Sequence, residues 1–298
     1  MSAPAAPPGT VGGGASTANG PLRVDGVEVH VDGAGPEVIV MVHGWPDTFR
    51  LWDPLVATLA PRWRCVRFTL PGFDVGRPRR LVTLDAMTDF LARVVDAASP
   101  DRPVTLLLHD WGCAFGYQYL MRHPQRVARV IGIDIGDAGS RAHWAELRWQ
   151  AKAGIVAYQL WLAAAWLVGG ASRTLGDRMT RAMARWARCP AEAALIGAQM
   201  NYPYWLQWTG GYRGRVRLDP PCPMLYLYGT RKPFLFHSRR WAEALAARPG
   251  CRVVAMRTGH WLMCNDPAAF NREVNDWLAC GVADGTAPSA AAARAGPP

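Results

Sequence analysis

The sequence predicts an α/β domain: a mostly parallel central sheet flanked by helices, with a helical insertion over one edge. Three observations predict it. Strand-like and helix-like stretches alternate along most of the chain. Several strand-like runs, such as Val104–Leu108, are continuously apolar, as strands covered on both faces are. Residues 138–212 interrupt the alternation with a block rich in Trp, Arg and Ala that reads as almost purely helical. In chain order, Val27–Val31 and Val38–Val42 are β-branched runs separated by a Gly-Ala-Gly-Pro turn. Leu51–Leu59 has helical spacing, and Cys65–Leu70 is a strand ending in Pro-Gly. Leu84–Ala98 is a long amphipathic helix with Thr83 as its cap. Val104–Leu108 (strand), Cys113–Arg122 (helix) and Val127–Ile133 (strand) follow. After the helical block come Met224–Tyr228, Ser238–Ala247, Cys251–Met256 and Pro267–Leu278, again strand, helix, strand, helix. The insertion falls at the C-terminal edge of the sheet, where folds of this class place their sites.

Composition narrows the function. The 298 residues carry 33 Lys and Arg against 23 Asp and Glu, a net charge of +10, with only two lysines, Lys152 and Lys232. No basic run is interleaved with aromatics and no finger or RNA-binding signature occurs, so a nucleic-acid partner is not expected. Seven scattered cysteines, none spaced as a CxxC pair, speak against a disulfide framework or a structural zinc and for a reducing, cytoplasmic setting. Residues 1–21 lack a basic start followed by an apolar core and read as a disordered leader; 281–298 read as a matching tail. Between them, 22–137 and 213–280 form the expected core and 138–212 the cap. Residues 153–170 hold 18 positions without a charge, at the threshold for a membrane span. The preferred reading is a buried or interfacial helix, which with the arginines at 173, 178, 181, 185 and 188 gives the cap a possible peripheral membrane contact.

Three clusters carry chemistry. In Leu106-Leu107-Leu108-His109-Asp110-Trp111-Gly112, a strand runs into a sharp turn at Asp110 and straight into a helix. This nucleophile-elbow pattern lifts one side chain above the sheet at a helix N-terminus, where negative charge is favoured. A carboxylate there attacks saturated carbon and forms an alkyl-enzyme ester. The plain alternative is that Asp110 only caps the helix. His43-Gly44-Trp45-Pro46 follows a strand, and the Trp45 amide, paired with that of Trp111, can form an oxyanion hole; any tight turn, however, can carry Gly and Pro. Thr258-Gly259-His260-Trp261 follows the last strand, where a base can meet the elbow, although a lone histidine there is more often structural.

Together with Pro71-Gly72-Phe73-Asp74, these motifs resemble the α/β-hydrolase superfamily over roughly residues 22–280, and within it the epoxide hydrolase and haloalkane dehalogenase branch. The resemblance implies the α/β-hydrolase fold and a hydrolase that needs no cofactor or metal. Asp110 would be the nucleophile, His260 the water-activating base, and Trp45 and Trp111 the oxyanion hole. His43, Trp45, Trp111 and Trp261 would bind substrate. Ala157-Tyr158-Gln159-Leu160 resembles the cap tyrosine motif of epoxide hydrolases, and Asn201-Tyr202-Pro203-Tyr204 stands where the family carries its second cap tyrosine. Pro203 leaves open which of Tyr202 and Tyr204 reaches the site, and core aromatics remain the alternative for all three. The expected substrate is a small apolar epoxide, acted on by a monomer or homodimer. A dehalogenase is the second reading, with Trp111 as one halide donor and a second in the cap.

The pattern breaks at the triad acid. The family's Gly-x-x-Asp-Pro stretch is here Gly229-Thr230-Arg231-Lys232-Pro233, and a cation cannot orient His260. Either the acid has moved to Asp134, lone between apolar neighbours after Val127–Ile133 with Asp137 as the fallback, or catalysis is weakened and the fold serves as a binding protein.

Overall fold

A computed structural model describes residues 22–283; the leader at 1–21 and residues 284–298 lie outside the described residues. Eight strands form one sheet in the order β1-β2-β4-β3-β5-β6-β7-β8. β1 (Leu22–Val24) and β2 (Val27–Asp32) form an antiparallel hairpin, and β2 is antiparallel to β4 (Arg64–Phe68). From β4 onward every neighbour is parallel: β3 (Val38–Val42), β5 (Val104–His109), β6 (Val127–Ile133), β7 (Met224–Gly229) and β8 (Arg252–Met256). β3 and β5 are buried along their whole length, which is why they read as unbroken apolar runs rather than alternating ones.

One layer of helices comprises α1 (Asp53–Leu59), α9 (Leu262–Asn265) and the C-terminal α10 (Pro267–Ala283), which continues past the expected core boundary at 280. The other holds α2 (Leu84–Ala98), α3 (Trp111–Arg122) and α8 (Arg239–Ala246). The Thr83 hydroxyl caps α2 by accepting from the Ala86 amide, as its position predicts. Two apolar cores result, one on each face of the sheet: Ile39, Met41, Leu107 and Leu225 point into the first, Val40, Val42, Leu106 and Leu108 into the second.

Between β6 and β7 the chain leaves the sheet for α4 (Arg141–Glu146), α5 (Trp149–Ala171), α6 (Arg173–Trp186) and α7 (Tyr202–Thr209). Gly169 and Gly176 let α5 and α6 approach closely, since a Cβ on Gly176 would collide with the Gly169 backbone. Arg79 ties this layer to the core, its guanidinium 3.8 Å from the Trp166 ring centroid and bonded to the Trp166 carbonyl.

Candidate active site

Asp110 lies between the last residue of β5 and the first of α3, at φ 52° and ψ −120°. It occupies the N-cap position yet its side chain makes no capping bond, so the capping alternative does not describe it. A non-glycine residue held there stores roughly 1–3 kcal/mol of backbone strain, and the result is a carboxylate aimed away from the helix. Oδ1 accepts the Trp45 amide at 2.7 Å, and Oδ2 lies 3.5 Å from His260 Nε2. Gly44 makes this approach feasible: a Cβ there would collide with the Asp110 carboxylate and the Trp111 amide. Of the two expected amide donors the structure forms the Trp45 one; the Trp111 amide opens α3 beside it.

His260 lies in the loop between β8 and α9, a loop braced where Asn265 accepts the Gly259 amide at 3.0 Å. Its Nδ1 bonds Asp134 Oδ2 at 2.5 Å. Asp134 follows β6 at φ 69°, fully buried, with Oδ1 taking the Gly229 amide at 3.0 Å and the Lys232 ammonium at 2.5 Å. The acid therefore reaches the histidine from β6, and Lys232, at the place where an acid was expected, binds that acid. Both carboxylates of the relay stand on residues with positive φ, a region Asp tolerates better than most side chains.

The electrostatics fit a carboxylate–histidine–carboxylate array. Burial alone would raise Asp110, but His260, His109 and the Trp45 amide outweigh it and hold the carboxyl below its ordinary range. Burial likewise opposes ionisation of Asp134, and Lys232 and His260 reverse the balance. For His260 burial works against the charged form, while the bonds to Asp110 and Asp134 raise the imidazole to about 9.

Above the Asp110 carboxylate lies an aromatic cluster. The Tyr204 ring stands edge-on to Trp111 (centroids 5.2 Å apart), Trp45 (6.0 Å) and Tyr158 (6.0 Å). Burial, with the Asp110 charge nearby, pushes both phenols above their ordinary value and keeps them neutral donors. A cleft of about 960 Å³ opens here, lined among others by Asp110, Trp111, Tyr158, Tyr204 and Phe236.

Four expected residues are placed elsewhere. Tyr202 is fully buried and donates to the Pro71 carbonyl at 3.0 Å, packed on Phe73 and Trp166, so its hydroxyl braces the loop after β4. His43, expected to bind substrate, has both nitrogens occupied by backbone: Nδ1 bonds the Gly44 carbonyl and Nε2 accepts the Leu70 amide, each at 2.9 Å. Burial drops its pKa to about 4, leaving it neutral. Trp261 points into the core on the other face of the sheet and donates to Asp47 at 2.9 Å. Asp137, the fallback acid, clasps the Ser140 hydroxyl and the Ser238 amide and hydroxyl instead.

Sequence reasoning missed Asp47 and Phe236. Asp47 directly follows His43–Pro46, and that adjacency was its signal; Phe236 carries no periodic or motif signal and reaches the His260 ring (centroids 6.0 Å apart) only through a bridge pairing with Ile135. Asn201 adds a further constraint: its Oδ1 takes the Trp45 indole N–H and its Nδ2 donates to Thr180, each at 2.7 Å.

Residues 37–158, which include both the His43–Pro46 and the His109–Gly112 clusters, match the family model described as alpha/beta hydrolase fold. An epoxide hydrolase from Bacillus megaterium, solved with an inhibitor, superposes over 87% of this chain and 99% of its own, with a TM-score of 0.64 at 19% identity. The chain has the α/β-hydrolase fold. Among curated relatives, a Mycobacterium tuberculosis protein named "Probable oxidoreductase EphD" is 36% identical over 125 residues. That match spans 40% of this chain and 21% of the relative's length. The cis-3-alkyl-4-alkyloxetan-2-one decarboxylase of Xanthomonas campestris is 32% identical over 126 residues, 37% of this chain and 42% of its own.

Proposed function

We propose that this α/β-hydrolase opens epoxides of apolar substrates to diols through an ester on Asp110. What supports the reading is one arrangement: Asp110 lies 3.5 Å from a histidine backed by a buried carboxylate, with Tyr158 and Tyr204 around it. In the first step Oδ2 attacks a ring carbon, the ring C–O bond breaks, and the departing oxygen takes a proton from a cap phenol. Tyr204 is the second cap tyrosine in this reading, and Tyr202 a structural one. In the second step His260 takes a proton from water as the hydroxide oxygen bonds to the Asp110 carboxyl carbon. The negative charge collects on Oδ1, the oxygen that the Trp45 amide holds at 2.7 Å. Such a donor contributes on the order of 10²–10³ in rate. The intermediate collapses, the diol leaves with the proton from the imidazolium, and the acid proton left on the Asp110 carboxyl returns to the tyrosine phenolate, which restores both groups.

The raised basicity of His260 is consistent with this order. Two carboxylates hold its pKa at about 9 in the free protein. Esterification removes the Asp110 charge, the imidazolium falls back toward its ordinary pKa and gives its proton to solvent, and a neutral base is present when water must be activated.

The haloalkane reading has a weaker footing, because the Trp45 indole that could share a halide with Trp111 is already bound to Asn201. The named substrate of the Xanthomonas relative is a four-membered oxygen ring, so strained lactones belong in the panel beside epoxides. The test is the intact mass of a His260→Gln variant after exposure to epoxides, haloalkanes and β-lactones. An adduct on Asp110 from epoxides is the expected result. An adduct from haloalkanes alone selects the dehalogenase, and a folded variant that binds these compounds yet is never labelled selects the binding protein.

A further inference from the structure

α5 differs from an ordinary surface helix. One side, Ile155, Leu162, Trp166 and Gly169, is buried against the rest of the protein and carries Tyr158 toward the nucleophile. The opposite side is Ala153, Ala157, Leu160, Trp161, Ala164, Leu167 and Ala171, exposed at every position and spaced along a single helical stripe. A surface helix normally turns charged and polar residues outward; this stripe holds none. The apolar face continues onto α6, because the Trp161 indole donates to the Met179 carbonyl at 3.0 Å. There Leu175 and Trp186 stand out, Trp186 at 71% exposure. Together these exposed side chains give the two helices an apolar outer surface of the kind that marks an interaction site.

Charge decides what covers it. Between residues 147 and 190 the chain has seven basic residues, Arg148, Lys152, Arg173, Arg178, Arg181, Arg185 and Arg188, and one acidic residue, Asp177. Asp177 faces inward, accepting the Ala198 amide at 2.7 Å. Arg178 and Arg185 lie on the outward side of α6, one turn and three turns along from Thr174, and neither pairs with an acid among the described residues. A second copy of the chain meeting this face about a two-fold axis would set arginines against arginines. A sheet of anionic headgroups complements them, while tryptophan and leucine fill the boundary between headgroup and acyl chain.

We propose that the outer face of α5 and α6 docks this protein on an anionic lipid surface. The helix lies along the membrane rather than through it, since crossing would strip its inner side from the core and remove Tyr158 from the site. Docked this way, the cap faces the medium in which apolar substrates concentrate.

The experiment is flotation of the full chain with phosphatidylcholine vesicles prepared with and without phosphatidylglycerol. Binding is expected to the anionic vesicles and to be reversed by high salt or alkaline wash. Arg178→Glu/Arg185→Glu should weaken partition at least about 25-fold, given the contribution of each basic residue near such a surface. Leu160→Glu/Leu167→Glu should abolish it with an unchanged thermal midpoint, because both side chains are exposed. Partition that ignores lipid charge, or that resists alkaline wash as a spanning helix does, overturns the proposal. So does failure of the folded parent to bind anionic vesicles, or a solution dimer that Leu160→Glu/Leu167→Glu dissociates.

Discussion

Lys232 donates to the Asp134 carboxylate oxygen that His260 does not use, so that one buried acid is held between an ammonium and an imidazole at 2.5 Å each. In the proposed mechanism the cation does not stand in for an acid; it fixes the carboxylate that orients His260. Removing one partner of a buried pair leaves an uncompensated charge, at a cost of about 3–5 kcal/mol. Lys232→Met is therefore expected to lower stability by an amount in that range and to slow ester hydrolysis as Asp134 loses its fixed orientation. Lys232→Met/Asp134→Asn, which removes both charges, should recover much of the stability but none of the hydrolysis. Chemical denaturation and single-turnover kinetics read the two separately, and additive stability losses would contradict the pairing.

The two tyrosines of Tyr202-Pro203-Tyr204 should separate cleanly. Tyr204→Phe is expected to slow formation of the Asp110 ester by roughly 10²–10⁴, the usual worth of a positioned proton donor. Tyr202→Phe leaves the buried Pro71 carbonyl without its partner. It should cost about 1–3 kcal/mol of stability and leave the ester-forming rate near that of the parent. If the kinetic loss followed Tyr202 instead, the assignment of Tyr204 would be wrong.

His260 gives stability an alkaline limit. Its folded pKa, about 9, stands above the ordinary 6.5, because the bonds to Asp110 and Asp134 outweigh burial. The contribution is thus complete below about pH 6.5 and is lost as pH rises through about 9. Thermal midpoints of the parent should fall across that interval, and those of His260→Gln should fall less. Parallel curves would count against the coupling.

Asp47 gives the same sign of pH dependence in a lower window, there because the neutral form is the favoured one. Burial raises its carboxyl from 3.8 to about 7 despite the bond from Trp261. A raised carboxyl favours folding while protonated, so its contribution is present below about pH 3.8 and lost as pH climbs through about 7. Asp47→Asn keeps an acceptor for the Trp261 indole without the charge. The variant should gain stability over the parent on the order of a few kcal/mol at pH 8 and much less at pH 4, as measured by urea midpoints.

Much of this molecule can be read along the chain. The unbroken apolar runs of β3 and β5 announce strands covered on both faces, and the step from Leu108 to Trp111 announces a turn that exposes Asp110, because these signals depend on residues close in sequence. The short β1 strand was not legible, since three residues carry too little pattern. Residue type alone also marked Asp134 as an odd carboxylate among apolar neighbours, without giving its partner.

What the sequence by itself determined is the layered α/β architecture, the elbow at Asp110 and the presence of a histidine after the last strand. Tertiary structure decided the rest. It set Lys232, 98 residues from Asp134, against that acid, gave Tyr202 to a core carbonyl and Tyr204 to the cleft, and turned Trp261 away to Asp47. Local pattern follows from backbone periodicity and burial, which neighbours in the chain share. Which polar groups meet in a buried site is set by the packing of distant segments and by the cost of leaving any such group without a partner.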